Sequence, residues 1–418
     1  MEDLNQITGQ KSPRKLFIAA WVLGCLFYFI EYVVRSAPAV MLKELEAGFH
    51  VDSLRLSAIL GTYYYTYAVT SLVAGIALDR FGGKFAIAAG CFILALGCFI
   101  FSISDALTGD IGRLLQGMGS AFAFTGCVYL ASHGFKARYL ATAIGLTQCM
   151  GMLGGSAGQF VIAPMIQAGL TIKDFWIYSG IAAAAIAVLL YMITPKEDIP
   201  HSQHGMKGIF APYGIVFRNP QSYMSGIISG LLFAPTTIFA MTWGVAFFQQ
   251  DRSLSYHDAV LTCAMVPMGW VIGCPLLGWI SDRMGKRKPV LAVSVIVMFV
   301  SYIQLLFLPQ ILPVMATMLI FGTASGAAMI PYSIIKEANP DEVKGSATGA
   351  QNFITFSITA LIGPVFAKLF GKTLGAAPDP ALHFQHAGIL FLITMALAFL
   401  ITLMLKETGT AVKKERLR

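Results

Sequence analysis

Charged side chains are scarce in this sequence. Asp, Glu, Lys and Arg together make up only 12% of the 418 residues, whereas 56% of the residues are hydrophobic. A soluble domain of average composition is roughly one quarter charged, so a soluble enzyme with a polar surface is excluded, and so is a disordered chain. Because about 20 apolar residues cross a bilayer as a helix, the length allows about twelve crossings with short loops.

The sequence also lacks the residue clusters that enzymes and metal sites need. Its seven cysteines lie in apolar stretches and show neither metal-ligand spacing nor a disulfide framework. No nucleophile–base pair, phosphate-binding loop or metal cluster is recognisable, so we predict a protein that is not an enzyme and has no metal and no cofactor beyond a proton gradient. The net charge of +8 comes without a basic run interleaved with aromatic residues, which predicts no nucleic-acid partner.

Twelve continuous apolar stretches are present. They do not alternate as barrel strands would, so we predict helices, numbered 1 to 12 in chain order. The first stretch is too long for a cleavable signal peptide and is expected to be retained. The predicted fold class is therefore an all-α membrane protein with twelve transmembrane helices. The stretches lie near residues 16–41, 56–78, 85–104, 107–130, 140–165, 174–193, 223–248, 258–280, 289–308, 311–335, 346–371 and 386–405.

A polar linker divides the twelve stretches into two sets of six. We place an N-terminal six-helix bundle at residues 1–194, the linker at 195–222 and a C-terminal six-helix bundle at 223–418. If the N-terminus is cytoplasmic, 21 of the 29 Lys and Arg residues fall on the cytoplasmic side, six on the opposite side and two within helices. Because cytoplasmic loops are enriched in Lys and Arg, both termini and the linker are predicted to be cytoplasmic.

A short motif, GxxxDRxG, occurs twice, each time directly after the second helix of a half. The two copies are 203 residues apart, close to half of the chain length, which indicates two parallel structural repeats. An Asp at the end of a helix can cap the positive N-terminus of a helix from the other half. Each copy continues to a basic residue two positions after its last glycine. The first copy comprises Gly75, Asp79, Arg80, Gly82 and Lys84, and the second comprises Gly278, Asp282, Arg283, Gly285 and Arg287.

The doubled motif resembles the signature of the major facilitator superfamily. Arg113, Gln116, Gly117 and Gly119 in helix 4 also match the RxxQGxG motif of that family. The resemblance covers all twelve helices and implies two pseudo-symmetric six-helix bundles that rock about a central site lined by helices 1, 4, 7 and 10. It also implies that the aspartates of the doubled motif latch a cytoplasmic gate, with the starts of helix 5 at Leu140 and helix 11 at Ser346 as the expected partners.

Two narrower resemblances involve helix 1. The stretch from Glu31 to Arg35 looks like the Tyr-Tyr-x-Val-Arg sequence of organophosphate antiporters, in which this Arg binds phosphate with a second Arg from helix 7. Helix 7 of this chain contains neither Arg nor Lys. The step from Arg35 to Pro38 looks like the phagosomal nutrient transporters of intracellular bacteria, which import amino acids or nucleosides. We rank this second resemblance first.

Three charged residues, Glu31, Arg35 and Arg113, lie well inside the predicted helices. Charge inside a bilayer is costly and points to function. Counted from the predicted outer helix ends at Met41 and Leu107, both arginines lie about 9 Å below the outer face, so the three side chains are expected to form one cluster. Paired arginines suit a substrate carboxylate, and Glu31 is the candidate proton carrier. The alternative is a permanent ion network that holds helix 1 to helix 4.

Neutral polar and aromatic residues are the remaining candidates for the substrate site. Four tyrosines between positions 63 and 67 cover every face of helix 2, so only some of them can reach the central site. The C-terminal half contains no comparable charge within a helix, which suggests that the N-terminal half binds the charged end of a substrate. We select Tyr64, Gln148, Trp243, Tyr332 and Asn352 as substrate contacts.

These observations predict a secondary transporter that imports a small polar solute, an amino acid or related carboxylate, together with a proton. We expect it to act as a monomer in the bacterial inner membrane, with the lipid bilayer and the solute as its partners. Import of a nucleoside or a carboxylate siderophore, uncoupled facilitation, efflux and a non-transporting nutrient sensor are the alternatives.

Overall fold

The computed structural model describes residues 13–197, 210–250, 252–307, 311–374 and 380–411. Within these ranges the chain is helical and contains no strand. Nine of the described helices are long and apolar enough to cross a membrane, and one of them, Ala58–Phe101, has 44 residues. Because about 20 residues suffice for one crossing, this helix is long enough to cross twice. Together with Leu140–Phe160 and Lys344–Leu374, it completes twelve crossings, which confirms the predicted fold class.

Most crossings are continuous α-helices, and short helical segments lie between them. Helices 1, 4, 5, 6, 8, 9, 11 and 12 span Pro13–Ser36, Ala106–Gly134, Leu140–Phe160, Ile172–Ile193, Tyr256–Met284, Lys288–Leu306, Lys344–Leu374 and Pro380–Met404, respectively. The short segments are the 3-10 turns Ala37–Val40, Ala137–Tyr139 and Asp341–Val343 and the α-helices Leu42–Phe49, Ile162–Gln167 and Ala211–Arg218. We call Ala211–Arg218 the linker helix, because it directly precedes helix 7.

Helices 2 and 3 are joined at the first copy of the doubled motif. The segment Ser53–Phe101 is helical except at Gly82, whose φ of 75° and ψ of 170° break the helix. The equivalent residue of the second copy, Gly285, has φ 66° and ends helix 8 in the left-handed conformation. Residues with a Cβ atom rarely adopt positive φ, which explains why glycine occupies both positions.

The α-helical part of helix 1 ends earlier than the sequence predicts. The apolar stretch continues to Met41, but the α-helix ends at Ser36, one residue after Arg35. Pro38 lies in the 3-10 turn that follows, because proline donates no backbone hydrogen bond and disfavours α geometry in the residue before it. Arg35 therefore lies in the last turn of the α-helix. The depth of about 9 Å below the outer face assumed an α-helix that continues to Met41, so it does not apply to Arg35.

Helices 7 and 10 are irregular near their middles. Helix 7 consists of an α-helix, Pro220–Ala234, a π-helix, Pro235–Trp243, and a second α-helix, Gly244–Gln250. Pro235 has no N–H to donate and marks the start of the π-helix. Departures of this kind from α geometry often occur at functional sites. Helix 10 consists of Val314–Ser325, the 3-10 turn Gly326–Met329 and Ile330–Ala338.

The contacts between Cα atoms divide the chain into two compact units. Each unit contains most of one half of the sequence and a short segment of the other half. The beginning of helix 11 belongs to the first unit, and the beginning of helix 5 belongs to the second. The first unit comprises 1–136, 150–216 and 341–350, and the second comprises 137–149, 217–340 and 351–418. The central part of the predicted linker, 198–209, and both chain ends lie outside the described residues.

The glycines of the RxxQGxG motif allow helix 4 to approach helices 2 and 3 closely. A Cβ atom added to Gly117 would lie 2.2 Å from the main-chain oxygen of Tyr63, and one added to Gly119 would lie 2.4 Å from the main-chain nitrogen of Leu94. Neither backbone atom can move without displacing its helix. Small residues let membrane helices pack at short range, and here they hold Tyr63 beside helix 4.

We expect Gly117→Ala to destabilise the first unit, because the new methyl group would overlap the backbone of helix 2. Overpacking of this kind costs about 1–3 kcal/mol, and thermal unfolding of the purified protein in detergent measures it. Gly61→Ala, also within a helix of the first unit, is the matched control, since a Cβ atom there meets nothing within 4 Å. Equal melting temperatures for the two variants would contradict this account.

Candidate functional site

Glu31 and Arg35 lie on one face of helix 1, four residues apart. The Glu31 side chain is fully buried, and that of Arg35 is 14% exposed. Their nearest charged atoms, Arg35 Nη1 and Glu31 Oε1, are 3.9 Å apart, longer than a direct hydrogen bond. The two residues therefore form a loose ion pair in which the arginine stays partly accessible.

Tyr63 connects helix 2 to this pair. Its hydroxyl donates a hydrogen bond to Oε1 of Glu31, and its side chain is fully buried. The second carboxylate oxygen, Oε2, is buried and accepts no hydrogen bond from the described residues. Because a buried oxygen without a hydrogen bond is costly when charged, Oε2 is the less stabilised oxygen of the ionised carboxylate.

Four tyrosine rings surround the guanidinium of Arg35. Its Cζ atom lies 5.2 Å from the ring centre of Tyr32, 5.7 Å from that of Tyr63, 5.1 Å from that of Tyr64 and 5.5 Å from that of Tyr67. Each distance lies within the range of cation–π attraction, which offsets part of the cost of placing this charge in the membrane. We call these four residues the tyrosine cage.

The cage distinguishes between the helix-2 tyrosines, which the sequence alone does not. Tyr63 and Tyr67 are buried, Tyr64 is half exposed, and Tyr65 is 76% exposed. The sequence analysis did not select Tyr32 as a partner of Arg35. Its spacing of three residues on the same helix is the signal that would have found it.

Arg113 lies on helix 4, beside Tyr63. It is 2% exposed, and its Cζ atom lies 4.9 Å from the Tyr63 ring centre. Its Nη1 atom donates to the side-chain oxygen of Gln116 at 2.7 Å and to the main-chain oxygen of Val34 at 3.3 Å. The structure thus places Glu31, Arg35 and Arg113 all beside the side chain of Tyr63. The bond to Val34 also holds helix 4 to helix 1, which is the structural alternative for Arg113.

The candidates in the second unit lie on helices 5, 7, 10 and 11. Tyr332 donates a hydrogen bond to Oδ1 of Asn352 at 2.8 Å, and both residues are buried. Trp243, the last residue of the π-helix, is partly exposed, and its ring centre lies 5.9 Å from that of Phe366. Gln148 is 2% exposed on helix 5. The structure therefore joins Tyr332 and Asn352 as one polar pair.

In the first unit, the motif aspartate binds the N-terminus of helix 11. Asp79 accepts hydrogen bonds from the amides of Gly345 and Ser346, each at 2.7 Å. This is the helix start expected from the sequence, and its dipole favours a carboxylate. A Cβ atom added to Gly75 would lie 2.8 Å from the main-chain oxygen of Gly345, so glycine permits the approach. We call this contact the first latch.

The second unit contains the equivalent contact with helix 5. Asp282 accepts hydrogen bonds from the amides of Ala141 at 3.3 Å and Thr142 at 2.7 Å, and from the Thr142 hydroxyl at 2.7 Å. A Cβ atom added to Gly278 would lie 2.5 Å from the main-chain oxygen of Ala141. We call this contact the second latch. Both latches therefore depend on one Asp and one Gly of the same motif.

Arg287 adds a charge network to the second latch. Its guanidinium is 1% exposed and lies 2.7 Å from Asp282 and 2.6 Å from Glu337. Burial alone would lower the pKa of Arg287, but Glu337 and Asp282 raise it above its usual range, so the group stays charged. The sequence analysis did not select Glu337, because it lies 50 residues from Arg287 and no motif marks it.

The basic residues within the motif copies lie near aromatic rings or at the surface. Lys84 Nζ lies 4.9 Å from the ring centre of Tyr191, and Arg283 Cζ lies 5.3 Å from that of Trp279. Arg80 is partly exposed. Cation–π contacts at exposed sites contribute about 0.5–1 kcal/mol each, so these two pairs fix side-chain positions more than they stabilise the fold.

The profile of one protein family matches most of the chain. Residues 24–364 match the Major Facilitator Superfamily. The chain belongs to this superfamily.

Known members align with the chain over most of its length. The membrane sensor protein UhpC of Salmonella typhimurium is 23% identical over 391 residues, 85% of either chain. The hexuronate transporter of Bacillus subtilis is 22% identical over 357 residues, 80% of this chain and 83% of that transporter. The fucose:proton symporter FucP of E. coli has the same fold, with a TM-score of 0.72 at 15% identity, over 93% of this chain and 98% of FucP. This major facilitator protein is therefore a multi-pass membrane transporter and not an enzyme.

We expect Asp79→Asn to slow uptake much more than it weakens substrate binding. The amide has one acceptor oxygen for two helix-11 N–H groups and carries no charge, and a charged hydrogen bond is worth about 1.5–3 kcal/mol. Uptake rate and ligand affinity, measured on the same preparation, separate the two effects. Asp174→Asn is the control, because Asp174 lies in the first turn of helix 6, outside the motif. A wild-type uptake rate in Asp79→Asn would show that the first latch has no part in turnover.

Proposed function

We propose that the protein imports a small solute bearing a carboxylate, such as an amino acid or a related acid, together with a proton. The observation that supports this proposal is Arg35, whose side chain is 14% exposed, one turn from the fully buried Glu31 in a membrane helix. A planar guanidinium binds a carboxylate at two points. The hexuronates named for one relative are sugar carboxylates.

Arg35 has the surroundings that anion recognition requires. The tyrosine cage attracts its charge without neutralising it, and the nearest described carboxylate, Glu31, is 3.9 Å away. A substrate carboxylate can therefore compete with Glu31 for the guanidinium. Tyr64 is half exposed and offers an aromatic surface next to Arg35 for the remainder of the solute.

Glu31 provides the coupling in this proposal. When ionised, it forms with Arg35 and Arg113 a cluster of one negative and two positive charges. A substrate carboxylate bound to Arg35 takes over part of the attraction that favours the ionised Glu31. The protonated form of Glu31 then becomes more favourable while the substrate is bound, so substrate and proton move together. Release of the substrate reverses the exchange.

Location and direction follow from the loop charges in this proposal. We place the protein in the bacterial inner membrane with both termini cytoplasmic, on the asymmetry of Lys and Arg between its loops. Both latches then lie on the cytoplasmic side, where opening them releases an imported solute. The resemblance of helix 1 to phagosomal nutrient transporters allows an amino acid or a nucleoside, and we rank the amino acid first because its carboxylate suits Arg35.

A second candidate function is nutrient sensing. It is favoured by one observation, since UhpC, which aligns with 85% of the chain, is named a membrane sensor protein. Purified protein reconstituted in liposomes separates the two functions. Binding with uptake supports transport, and binding without uptake supports sensing.

We expect Arg35→Ala to lower the affinity for carboxylate solutes at least about tenfold and Arg35→Lys to restore it poorly, because lysine lacks the planar two-point geometry. Thermal-shift screening of amino acids, sugar acids, nucleosides and neutral sugars identifies the ligand, since a ligand stabilises the folded protein by mass action. Arg138→Ala is the matched control: Arg138 also lies against a tyrosine ring, at 4.7 Å, but at the exposed surface. Undiminished affinity in Arg35→Ala, or a wild type stabilised only by neutral solutes, would refute carboxylate recognition.

We expect Glu31→Gln to retain binding and counterflow exchange but to lose uphill accumulation driven by a pH gradient. The amide keeps the shape of the acid and can still accept the Tyr63 hydrogen bond, but it cannot release a proton. Proteoliposomes with an imposed gradient measure accumulation, and Glu44→Gln, an exposed residue of the helix Leu42–Phe49, is the control. Accumulation by Glu31→Gln would place the coupling group elsewhere. Solute uptake by the wild type that does not depend on the pH gradient would show that the protein is a facilitator.

A further inference from the structure

The linker helix, Ala211–Arg218, contacts helix 2 close to the first latch. Its Tyr213 side chain is 6% exposed, and the hydroxyl donates a hydrogen bond to the main-chain oxygen of Leu72 at 2.5 Å. Val216, three residues later on the same face, is fully buried. The helix therefore buries one face, and the Tyr213 hydroxyl on that face binds helix 2.

Two glycines form the notch that receives this hydroxyl. A Cβ atom added to Gly75 on helix 2 would lie 2.8 Å from the Tyr213 oxygen, and one added to Gly349 on helix 11 would lie 2.9 Å from it. Gly75 is also the motif glycine that lets helix 11 approach at Gly345. The hydroxyl of Tyr213 thus lies against both of the helices that the first latch joins.

We propose that Tyr213 is a gating residue, and that the linker helix holds the first latch closed through its hydroxyl. The linker then acts on the transport cycle as well as joining the two halves of the chain. This inference rests on the proposed function, because a latch matters only in a protein that opens and closes.

The position of the hydrogen bond supports this role. Leu72 precedes Asp79 by seven residues, or two turns, so both lie on one face of helix 2. A bond at Leu72 therefore fixes the end of the helix that carries the latch carboxylate. Burial, and then the charge of Asp79, raise the pKa of Tyr213 above its usual range, so the hydroxyl stays protonated and remains a donor.

Hydrogen–deuterium exchange of the full-length protein tests this proposal without a substrate. The amides of Gly345 and Ser346 donate to Asp79, so their exchange reports opening of the first latch, and the amides of Ala141 and Thr142 report the second. A net hydrogen bond changes an equilibrium by roughly two- to tenfold. We therefore expect Tyr213→Phe to speed exchange in peptides covering 343–350 by that factor and to leave peptides covering 139–144 unchanged.

The controls separate a gating role from general loss of stability. Tyr223→Phe removes a hydroxyl from a tyrosine that is 44% exposed on helix 7 and should change neither peptide. Combined with Asp79→Asn, Tyr213→Phe should add little, because both substitutions act on one latch. Unchanged exchange at 343–350, or equal acceleration at both latches, would overturn the proposal. A failure of carboxylate uptake leaves this result intact, because the exchange measurement needs no solute.

Discussion

Charge inside a membrane has to be compensated, and this requirement determines the arrangement at the centre of the first unit. Arg35 is compensated by the tyrosine cage and a loose pair with Glu31, and Arg113 by Gln116 and a main-chain oxygen of helix 1. Tyr63 takes part in both arrangements. The charges of helices 1 and 4 therefore explain three of the four tyrosines in the helix-2 run, Tyr63, Tyr64 and Tyr67. The ring contacts attract the charge of Arg35 without neutralising it.

The backbone imposes the second requirement. The first N–H groups of a helix have no partner within it, and helices 11 and 5 obtain theirs from Asp79 and Asp282. A carboxylate can reach such amides only if the two backbones come close, which the adjacent glycines Gly75 and Gly278 allow. The Gly and the Asp of the doubled motif therefore act together in binding the helix start. Glycine provides the approach, and aspartate provides the bond.

The parts of the structure that follow from composition and repetition were predictable from sequence: the twelve helices, the cluster of three membrane charges and the helix starts that meet the motif aspartates. The parts that depend on local backbone geometry were not. The α-helical part of helix 1 ends before Pro38, and helix 7 becomes a π-helix at Pro235. The hydrophobicity of the sequence predicts neither change. Tyr32, Glu337 and Tyr213 were missed for another reason, since each acquires its role from a partner that only the folded chain brings near.

In both halves, the chain returns to the motif after the sixth helix. Glu197 accepts a hydrogen bond from the amide of Gly83 at 2.9 Å, at the start of helix 3, and Glu407 accepts one from the amide of Arg287 at 2.6 Å, at the start of helix 9. Helices 6 and 12 end beside the motif of their own unit, so the segment that leaves each must pass it. Tyr213 extends this arrangement from the helix start to the latch itself. The repeat therefore brings the linker next to the motif, and the hydroxyl of Tyr213 is one contact through which the described part of the linker binds helix 2.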